Sequence, residues 1–166
     1  MPQDAENPTK MGVLPMQDLR AMIARGEISA RDGVQPDQLQ PASLDLRLGH
    51  RAWRMRASFL AGKGRSVTER LAEFEMHQMD IAGGVVLEKG CVYLIPLMEQ
   101  LDLPGHVQAV ANAKSSTGRL DLLTRVITDQ GVEFDRVAPG YSGPLYAEIC
   151  PRSFSVLVRP GMRLNQ

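Results

Sequence analysis

The segment GVVLEKGCVYLIPL, residues 84–97, indicates the fold class of the chain. It contains two short apolar runs rich in valine, leucine and isoleucine, and a Glu-Lys-Gly turn separates them. Short apolar runs bounded by turn residues are typical of β-strands. The segment therefore predicts two short strands about a turn.

Segments of the same kind lie on both sides of this stretch. In SLDLRLG, residues 43–49, leucines alternate with Asp45 and Arg47, which predicts a half-buried strand. RAWRMR, residues 51–56, repeats the alternation. Further short strands are predicted at VQAVANA (107–113), RVIT (125–128), PLYAEIC (144–150) and SFSVLVRPG (153–161). Because 11 prolines and 15 glycines punctuate the chain, this pattern favours a mainly β sandwich or barrel over a βαβ sheet.

Helical periodicity is confined to short segments. PMQDLRAMIARG places Leu19, Met22 and Ile23 on one face, begins at Pro15 and is followed by Gly26, which predicts a helix near the N-terminus. VTERLAEFEM, residues 67–76, predicts one more short helix. The polar N-terminal residues are predicted to be flexible. At the other end, PGMRLNQ enters what should be another strand, so we expect the chain to be part of a longer polypeptide.

Composition limits the classes of partner. Lys plus Arg and Asp plus Glu both number 19, so the formal net charge is zero. Proteins that bind nucleic-acid polymers usually carry a basic excess, so a small anionic ligand fits this chain better. Two cysteines provide no disulfide framework, and three isolated histidines lack the spacing of a zinc site. Because the chain shows neither a secretory signal nor an apolar run near the ~20 residues that cross a bilayer, we expect a cytoplasmic protein with no membrane contact.

NAKSSTGRLD, residues 112–121, has the features of a phosphate site. Lys114 and Arg119 supply positive charge, and Ser115 and Ser116 lie where a short helix would begin, so hydroxyls, backbone N–H groups and helix dipole favour an anion together. The P-loop pattern is absent. The alternative is a capped turn whose basic residues are simply solvated.

Glu148 is the candidate catalytic carboxylate. Strand alternation in GPLYAEICP places it among apolar neighbours, where an ionised carboxylate is costly unless it is paired. Such surroundings suit a general base or acid. The alternative is an edge strand with Glu148 facing water. Asp45 has the same two interpretations and a weaker case.

Taken in order, four blocks resemble the dCTP deaminases, which belong to the same superfamily as the trimeric dUTPases. The blocks are PASLDLRLG (41–49), KSSTGR (114–119), PGYSG (139–143) and LYAEI (145–149). The resemblance implies a dUTPase-like distorted jelly roll or β-barrel with a short N-terminal helix. It predicts one domain over residues 13–166, after a flexible N-terminus of residues 1–12.

The resemblance also implies an activity. The reaction would convert dCTP and water to dUTP and ammonia without zinc, and Mg²⁺ would be held through the substrate phosphates. Glu148 matches the catalytic glutamate that activates water for attack on C4 of cytosine. Ser115 matches a serine that helps to place this water, and Arg119 matches an arginine that reaches the glutamate or the ligand.

The remaining matches concern substrate binding and assembly. Lys114 and Ser116 match phosphate-binding positions, Tyr141 matches an aromatic residue that packs near the deoxyribose, and Asp135 matches an acidic residue near the sugar 3′-hydroxyl. The family assembles as trimers with active sites between subunits, so a homotrimer is expected, or a pseudo-trimer of tandem chains.

Several positions depart from the family pattern. Lys114 replaces the usual arginine, Arg125 and Thr128 replace smaller or aromatic residues, and the connection over residues 129–143 is longer than usual. The C-terminal arm that closes over the triphosphate is absent, and the chain resembles the first half of a longer tandem bacterial form. The alternatives are a bifunctional enzyme that forms dUMP, a plain dUTPase, or a non-catalytic nucleotide-binding module.

Overall fold

The computed structural model describes residues 12–166. The flexible N-terminus predicted for residues 1–12 lies outside the described residues except for Gly12. Within the described residues there are three α-helices: α1 (Met16–Ala24), α2 (Val67–Phe74) and α3 (Ser115–Arg119). The strands are, in chain order, β1 (Ile28–Ala30), β2 (Leu39–Gln40), β3 (Ser43–Leu44), β4 (Leu46–Arg47), β5 (Arg51–Met55), β6 (Glu75–Asp80), β7 (Val85–Leu87), β8 (Val92–Asp102), β9 (Ala109–Val110), β10 (Leu122–Thr128), β11 (Arg136–Val137), β12 (Ser142–Pro151), β13 (Val156–Val158) and β14 (Arg163–Asn165). The predicted mainly β fold with a short N-terminal helix is confirmed.

An antiparallel six-stranded sheet forms the body of the molecule. Its order is β10-β12-β8-β5-β6, and β1 pairs with the far end of β8. Four two-stranded ribbons surround it: β11-β9, β13-β7, β14-β4 and β2-β3. The two strands predicted about the Glu-Lys-Gly turn exist as β7 and β8, but they pair with other strands, β7 with β13 and β8 with β12 and β5.

The central strands bury both of their faces. Alternation along β12 directs Leu145, Ala147 and Ile149 into the larger apolar core, as the sequence predicts. Tyr146 lies on the opposite face, in a smaller core that α2 covers with its apolar side chains, including Val67. A capping box at Ser66 begins α2, whose buried residues Val67 and Leu71 belong to this smaller core.

The prediction of a half-buried strand over residues 43–49 is wrong in one respect. Asp45 and Arg47 are 2% and 6% exposed, so the polar side of this segment is buried as well as the apolar side. The strand is also interrupted at Asp45, which separates β3 from β4. Burial is possible because each charged side chain meets an opposite charge: Arg47 contacts Glu99, and Asp45 contacts Lys114.

The helices lie where the sequence predicts them, but not every helix ends at the predicted residue. Helix α1 ends at Ala24, just before Gly26, whose φ of +78° suits the turn that follows. Helix α2 ends at Phe74 rather than continuing through Met76, because Glu75 adopts an extended conformation and begins β6. Over residues 12–166, every helix is too short or too polar to cross a bilayer.

Candidate active site

Glu148 lies in the middle of the sheet, on the face that carries the smaller core. Its strand, β12, is hydrogen-bonded to β10 on one side and to β8 on the other, and the residue is 4% exposed. The hydroxyl of Ser58 donates to Oε2 at 2.6 Å. The guanidinium of Arg125 donates to Oε1 from Nη2 at 2.5 Å and from Nε at 3.2 Å. The alternative of a solvent-facing edge position is therefore excluded, and the buried carboxylate has the partners that its burial requires.

Arg125 reaches Glu148 because the two residues are direct cross-strand neighbours in the β10-β12 register. Its Cζ lies 3.7 Å from the centroid of the Phe134 ring, which supports the guanidinium from below. Nη2 also lies 3.2 Å from the Ser58 hydroxyl, so the three polar groups form a closed ring. We call Glu148, Arg125, Ser58 and Phe134 the Glu148 cluster. The Arg125 side chain is 30% exposed, so the cluster is open to solvent on that side.

The predicted phosphate segment forms a short helix with exposed hydroxyls. We call residues 114–119 the hydroxyl turn. Ser115, Ser116 and Arg119 are exposed on α3, as a ligand-binding role requires. The turn is fixed against β14, because the Lys114 N–H donates to the carbonyl of Leu164 at 2.9 Å and the Thr117 hydroxyl donates to the same carbonyl at 3.0 Å.

The ammonium group of Lys114 is paired within the chain. It donates to Oδ2 of Asp45, whose side chain is 2% exposed while that of Lys114 is 25% exposed. The other oxygen, Oδ1, is buried and has no hydrogen-bond partner among the described residues. Asp45 thus offsets part of the positive charge that the sequence assigns to the hydroxyl turn, and Arg119 carries its charge at the exposed end.

The two predicted sugar-binding residues, Asp135 and Tyr141, form hydrogen bonds that fix the connection between β10 and β12. Asp135 has a φ of +61°, and its Oδ1 accepts from the Val126 N–H at 2.8 Å, while burial raises the pKa of its carboxyl group. The Tyr141 hydroxyl donates to the carbonyl of Pro144 at 2.6 Å and accepts from the Asp129 N–H at 3.1 Å. Burial raises the pKa of Tyr141 to about 12, so the phenol is a neutral donor at physiological pH. Their contacts with a sugar stay a prediction.

The structure joins the predicted residues to partners that sequence reasoning missed. Across residues 12–166, the one side-chain ion pair between two candidate residues is that of Lys114 with Asp45, and no side-chain hydrogen bond or ion pair joins Glu148 to another predicted site residue. Of the two contacts implied for Arg119, the one with Glu148 is made within this chain by Arg125; the one with a ligand stays a prediction. A charged residue within an apolar strand was the sequence feature that could have indicated Arg125. No sequence feature indicated Ser58.

Comparisons with known proteins give a consistent result. Residues 10–166 match the family model of the 2′-deoxycytidine 5′-triphosphate deaminase (DCD) N-terminal domain. A dUMP-forming dCTP deaminase of Corynebacterium efficiens is 30% identical over 158 residues, which cover 93% of this chain and 76% of that protein. A dCTP deaminase of Haloarcula marismortui is 26% identical over 157 residues, with coverages of 93% and 77%.

A solved structure supports the fold at higher identity. The crystal structure of 2′-deoxycytidine 5′-triphosphate deaminase from Agrobacterium tumefaciens is 52% identical to this chain and superimposes with a TM-score of 0.91. The match covers 93% of this chain and 47% of that chain, so the sequence spans about half of its length. The predicted dUTPase-like fold is confirmed by this similarity.

Proposed function

The chain belongs to the 2′-deoxycytidine 5′-triphosphate deaminase (DCD) N-terminal domain family, and from this premise we propose that it deaminates dCTP to dUTP and ammonia. The observation that carries the proposal is the burial and hydrogen bonding of the Glu148 side chain. A carboxylate 4% exposed on a central strand is held by two donors, and the cluster that holds it is open on the Arg125 side. This is the arrangement expected of a fixed general base at the edge of a ligand site.

Glu148 is the proposed general base. Its carboxylate removes a proton from a water molecule as the water oxygen bonds to C4 of cytosine. The same carboxyl group then delivers this proton to N3 of the ring, which gives a tetrahedral intermediate. It next takes the proton of the new C4 hydroxyl and delivers it to the exocyclic amino group, so the C4–N bond breaks, ammonia leaves and the C4 carbonyl forms. One carboxylate that is rigidly placed performs both transfers, and such acid–base catalysis contributes about 10²–10⁴ in rate. Ser115 is proposed to help to place the water.

The hydroxyl turn is the proposed triphosphate site. Ser115 and Ser116 present hydroxyls at an exposed helix start, and Arg119 adds a guanidinium on the same short helix. Guanidinium groups bind phosphate oxygens in a bidentate manner, whereas an ammonium group acts as a point charge. Lys114 is therefore proposed to contribute electrostatically, with Asp45 fixing its position.

The deoxyribose is proposed to lie against the connection between β10 and β12. Tyr141 is held by two hydrogen bonds through its hydroxyl, so its ring is a rigid surface for a sugar. Asp135 keeps its backbone in the left-handed region through the bond to Val126, which fixes the carboxyl beside this surface. A fixed ring of this kind would exclude the bulk of a ribose 2′-hydroxyl.

Magnesium is proposed to accompany the nucleotide. Within residues 12–166, no group of three or more His, Cys, Asp or Glu side chains is placed to hold a metal ion, whereas the hydroxyl turn offers cations and hydroxyls to phosphate oxygens. This donor set fits Mg²⁺ bound through the triphosphate, since Mg²⁺ commonly takes phosphate oxygens and water as ligands. The ion would neutralise part of the triphosphate charge.

We further propose that the site is completed by another copy of the fold. Within the single chain, no side-chain hydrogen bond or ion pair joins the hydroxyl turn to the Glu148 cluster over the described residues. Sites shared between subunits, in a trimer or a pseudo-trimer, would bring the two parts together. The domain proposed to do this extends over residues 13–166.

The test is a product assay with dCTP and Mg²⁺, in which the nucleotides are separated by anion-exchange chromatography. Wild-type chain is expected to form dUTP, and Glu148→Gln is expected to bind dCTP while its turnover falls by about 10²–10⁴. Glu133→Gln is the matched control, because the Glu133 side chain is 68% exposed and lies outside the cluster. Turnover near the wild-type rate in Glu148→Gln would refute the assignment. A dUMP product, as named for the Corynebacterium efficiens relative, would indicate the bifunctional alternative.

A further inference from the structure

Both oxygens of Glu148 are constrained, and Arg125 provides most of the constraint. Oε1 accepts two N–H groups of the guanidinium, at 2.5 and 3.2 Å, and Oε2 accepts the Ser58 hydroxyl at 2.6 Å. Donors on both oxygens fix the plane of the carboxylate, because the two N–H groups of Arg125 converge on Oε1 while the Ser58 hydroxyl holds Oε2. The contact at 3.2 Å between Nη2 of Arg125 and the Ser58 hydroxyl closes the ring.

Arg125 is itself held before any ligand arrives. Its backbone lies in β10 directly opposite Glu148, and its guanidinium stacks on Phe134 with 3.7 Å between Cζ and the ring centroid. Phe134 is positioned in turn because the next residue, Asp135, accepts the Val126 N–H and returns its own N–H to the Val126 carbonyl at 2.9 Å. A side chain supported on three sides loses little further freedom when it orients a catalytic group.

Arg125 also balances the charge of Glu148. Among the described residues it is the one cationic partner within ion-pair distance of this carboxylate, which is 4% exposed. Burial disfavours an ionised carboxylate, and a guanidinium in contact offsets that cost. The ionised form is the one that can accept a proton from water.

We propose that Arg125 is a positioning residue of the deamination, whose guanidinium, supported by the Phe134 ring, pairs with the Glu148 carboxylate and holds it correctly oriented. The inference rests on the proposed function. Arg125 acts through Glu148 and makes no essential contact with the nucleotide. Its removal therefore lowers kcat and leaves the KM for dCTP nearly unchanged.

The first experiment measures kcat, KM and dCTP binding for Arg125→Ala and Arg125→Lys. Loss of orientation is expected to lower kcat of Arg125→Ala by about 10²-fold, with KM within about threefold of wild type. Arg125→Lys keeps the charge but cannot reproduce the guanidinium contacts with both Glu148 and Ser58, so its kcat is expected between those of Arg125→Ala and wild type. Guanidinium ion, below concentrations that unfold the chain, is expected to restore part of the Arg125→Ala activity. Arg136→Ala is the matched control, since this neighbouring arginine is 63% exposed.

The second experiment combines Arg125→Ala with Glu148→Gln. If Arg125 acts only through Glu148, the double variant is no slower than Glu148→Gln alone. A further loss of kcat in the double variant, a raised KM with unchanged kcat, or full activity in Arg125→Ala would each overturn the inference. An active wild type with an inactive Glu148→Gln and a fully active Arg125→Ala would refute this inference alone. A wild type without dUTP formation would refute it together with the proposed function. Circular dichroism verifies that each variant is folded.

Discussion

Two buried glutamates on adjacent central strands, Glu148 on β12 and Glu99 on β8, each pair with an arginine but have different surroundings. Glu99 is fully buried, and its Oε1 accepts from Nε of Arg47 and from the Gln38 side-chain amide, both at 2.8 Å. Its Oε2 accepts the Arg47 backbone N–H at 2.8 Å. We call Glu99, Arg47 and Gln38 the Glu99 cluster. Its arginine side chain is 8% exposed, whereas that of Arg125 is 30% exposed.

The difference shows how one ion-pair chemistry serves two purposes. In the Glu99 cluster the donors are the backbone N–H and the guanidinium of Arg47 and the side-chain amide of Gln38, so the network ties β8 to β4 and to the 3₁₀ helix at Pro36–Gln38. No side of it faces solvent. In the Glu148 cluster the donors are an exposed hydroxyl and a partly exposed guanidinium, so a ligand has access to the groups that hold the carboxylate. Enclosure favours stability, and partial exposure favours reaction.

The largest expected difference concerns the stability of matched substitutions. Glu99→Gln leaves the guanidinium of Arg47 buried without its counter-charge, so we expect the free energy of unfolding to fall by about 3–5 kcal/mol. Glu148→Gln leaves Arg125, which solvent can reach, so we expect a loss of about 1 kcal/mol or less. Urea unfolding followed by circular dichroism measures both.

The rate of dCTP turnover should rank the same two substitutions in the opposite order to their losses of stability. Glu148→Gln is expected to be the less active and the more stable of the two variants. Equal losses of stability would mean that solvent exposure of the arginine does not separate the two clusters. If Glu99→Gln is too unstable to purify, urea unfolding of Gln38→Ala, which removes one neutral donor to the same carboxylate, tests the network at a smaller cost.

Lys114 and Asp45 are expected to lie between these extremes. Asp45 is as buried as the Glu99 cluster, but its partner is a quarter exposed. Lys114→Met leaves a buried carboxylate without a counter-charge, so we expect a loss of about 2 kcal/mol in the free energy of unfolding. Urea unfolding tests this, with Lys114→Arg as the control that keeps the charge.

A double substitution determines whether the charge is responsible. Adding Asp45→Asn to Lys114→Met removes the uncompensated carboxylate, so it should restore a large part of the lost stability. If the double variant is less stable than Lys114→Met, the effect comes from packing of the lysine stem rather than from the charge of Asp45.

The sequence predicted Glu148 and missed Glu99, although both follow strand alternation. Tyr93, Ile95 and Leu97 face the larger core, and Glu99 continues the same period of two. The predicted segment ended at Leu97, one residue after Pro96. Here β8 continues to Asp102 as an 11-residue strand, so the five positions from 98 to 102 stayed outside the predicted strand.

The partners of Glu148 were beyond local sequence patterns for a different reason. Arg125 meets Glu148 through the β10-β12 register, and Ser58 comes from a loop 90 residues away in the sequence. Register and loop placement depend on long-range packing, which no local pattern specifies. By contrast, the apolar periodicity between Pro15 and Gly26 predicted α1, and the serines at the start of the 114–119 segment predicted α3.

The smallest expected effect is on tyrosine ionisation. It tests whether water is excluded from the core beneath Glu148 as fully as from the core around Glu99. Burial raises the pKa of Tyr146, in the smaller core, to about 12, and it also raises the pKa of Tyr93, in the larger core. In each case the folded state favours the neutral phenol, so this contribution to stability is present below pH ~10 and is lost as pH rises through the folded pKa.

Absorbance at ~295 nm, where tyrosinate absorbs, should therefore rise at higher pH in native chain than in chain unfolded by guanidinium. Tyr146→Phe and Tyr93→Phe assign the steps, and each should remove about a third of the amplitude because the chain has three tyrosines. If Tyr146 titrates near the unfolded value while Tyr93 does not, water enters the smaller core, and the protection of Glu148 comes from Arg125 and Ser58 rather than from a dry environment.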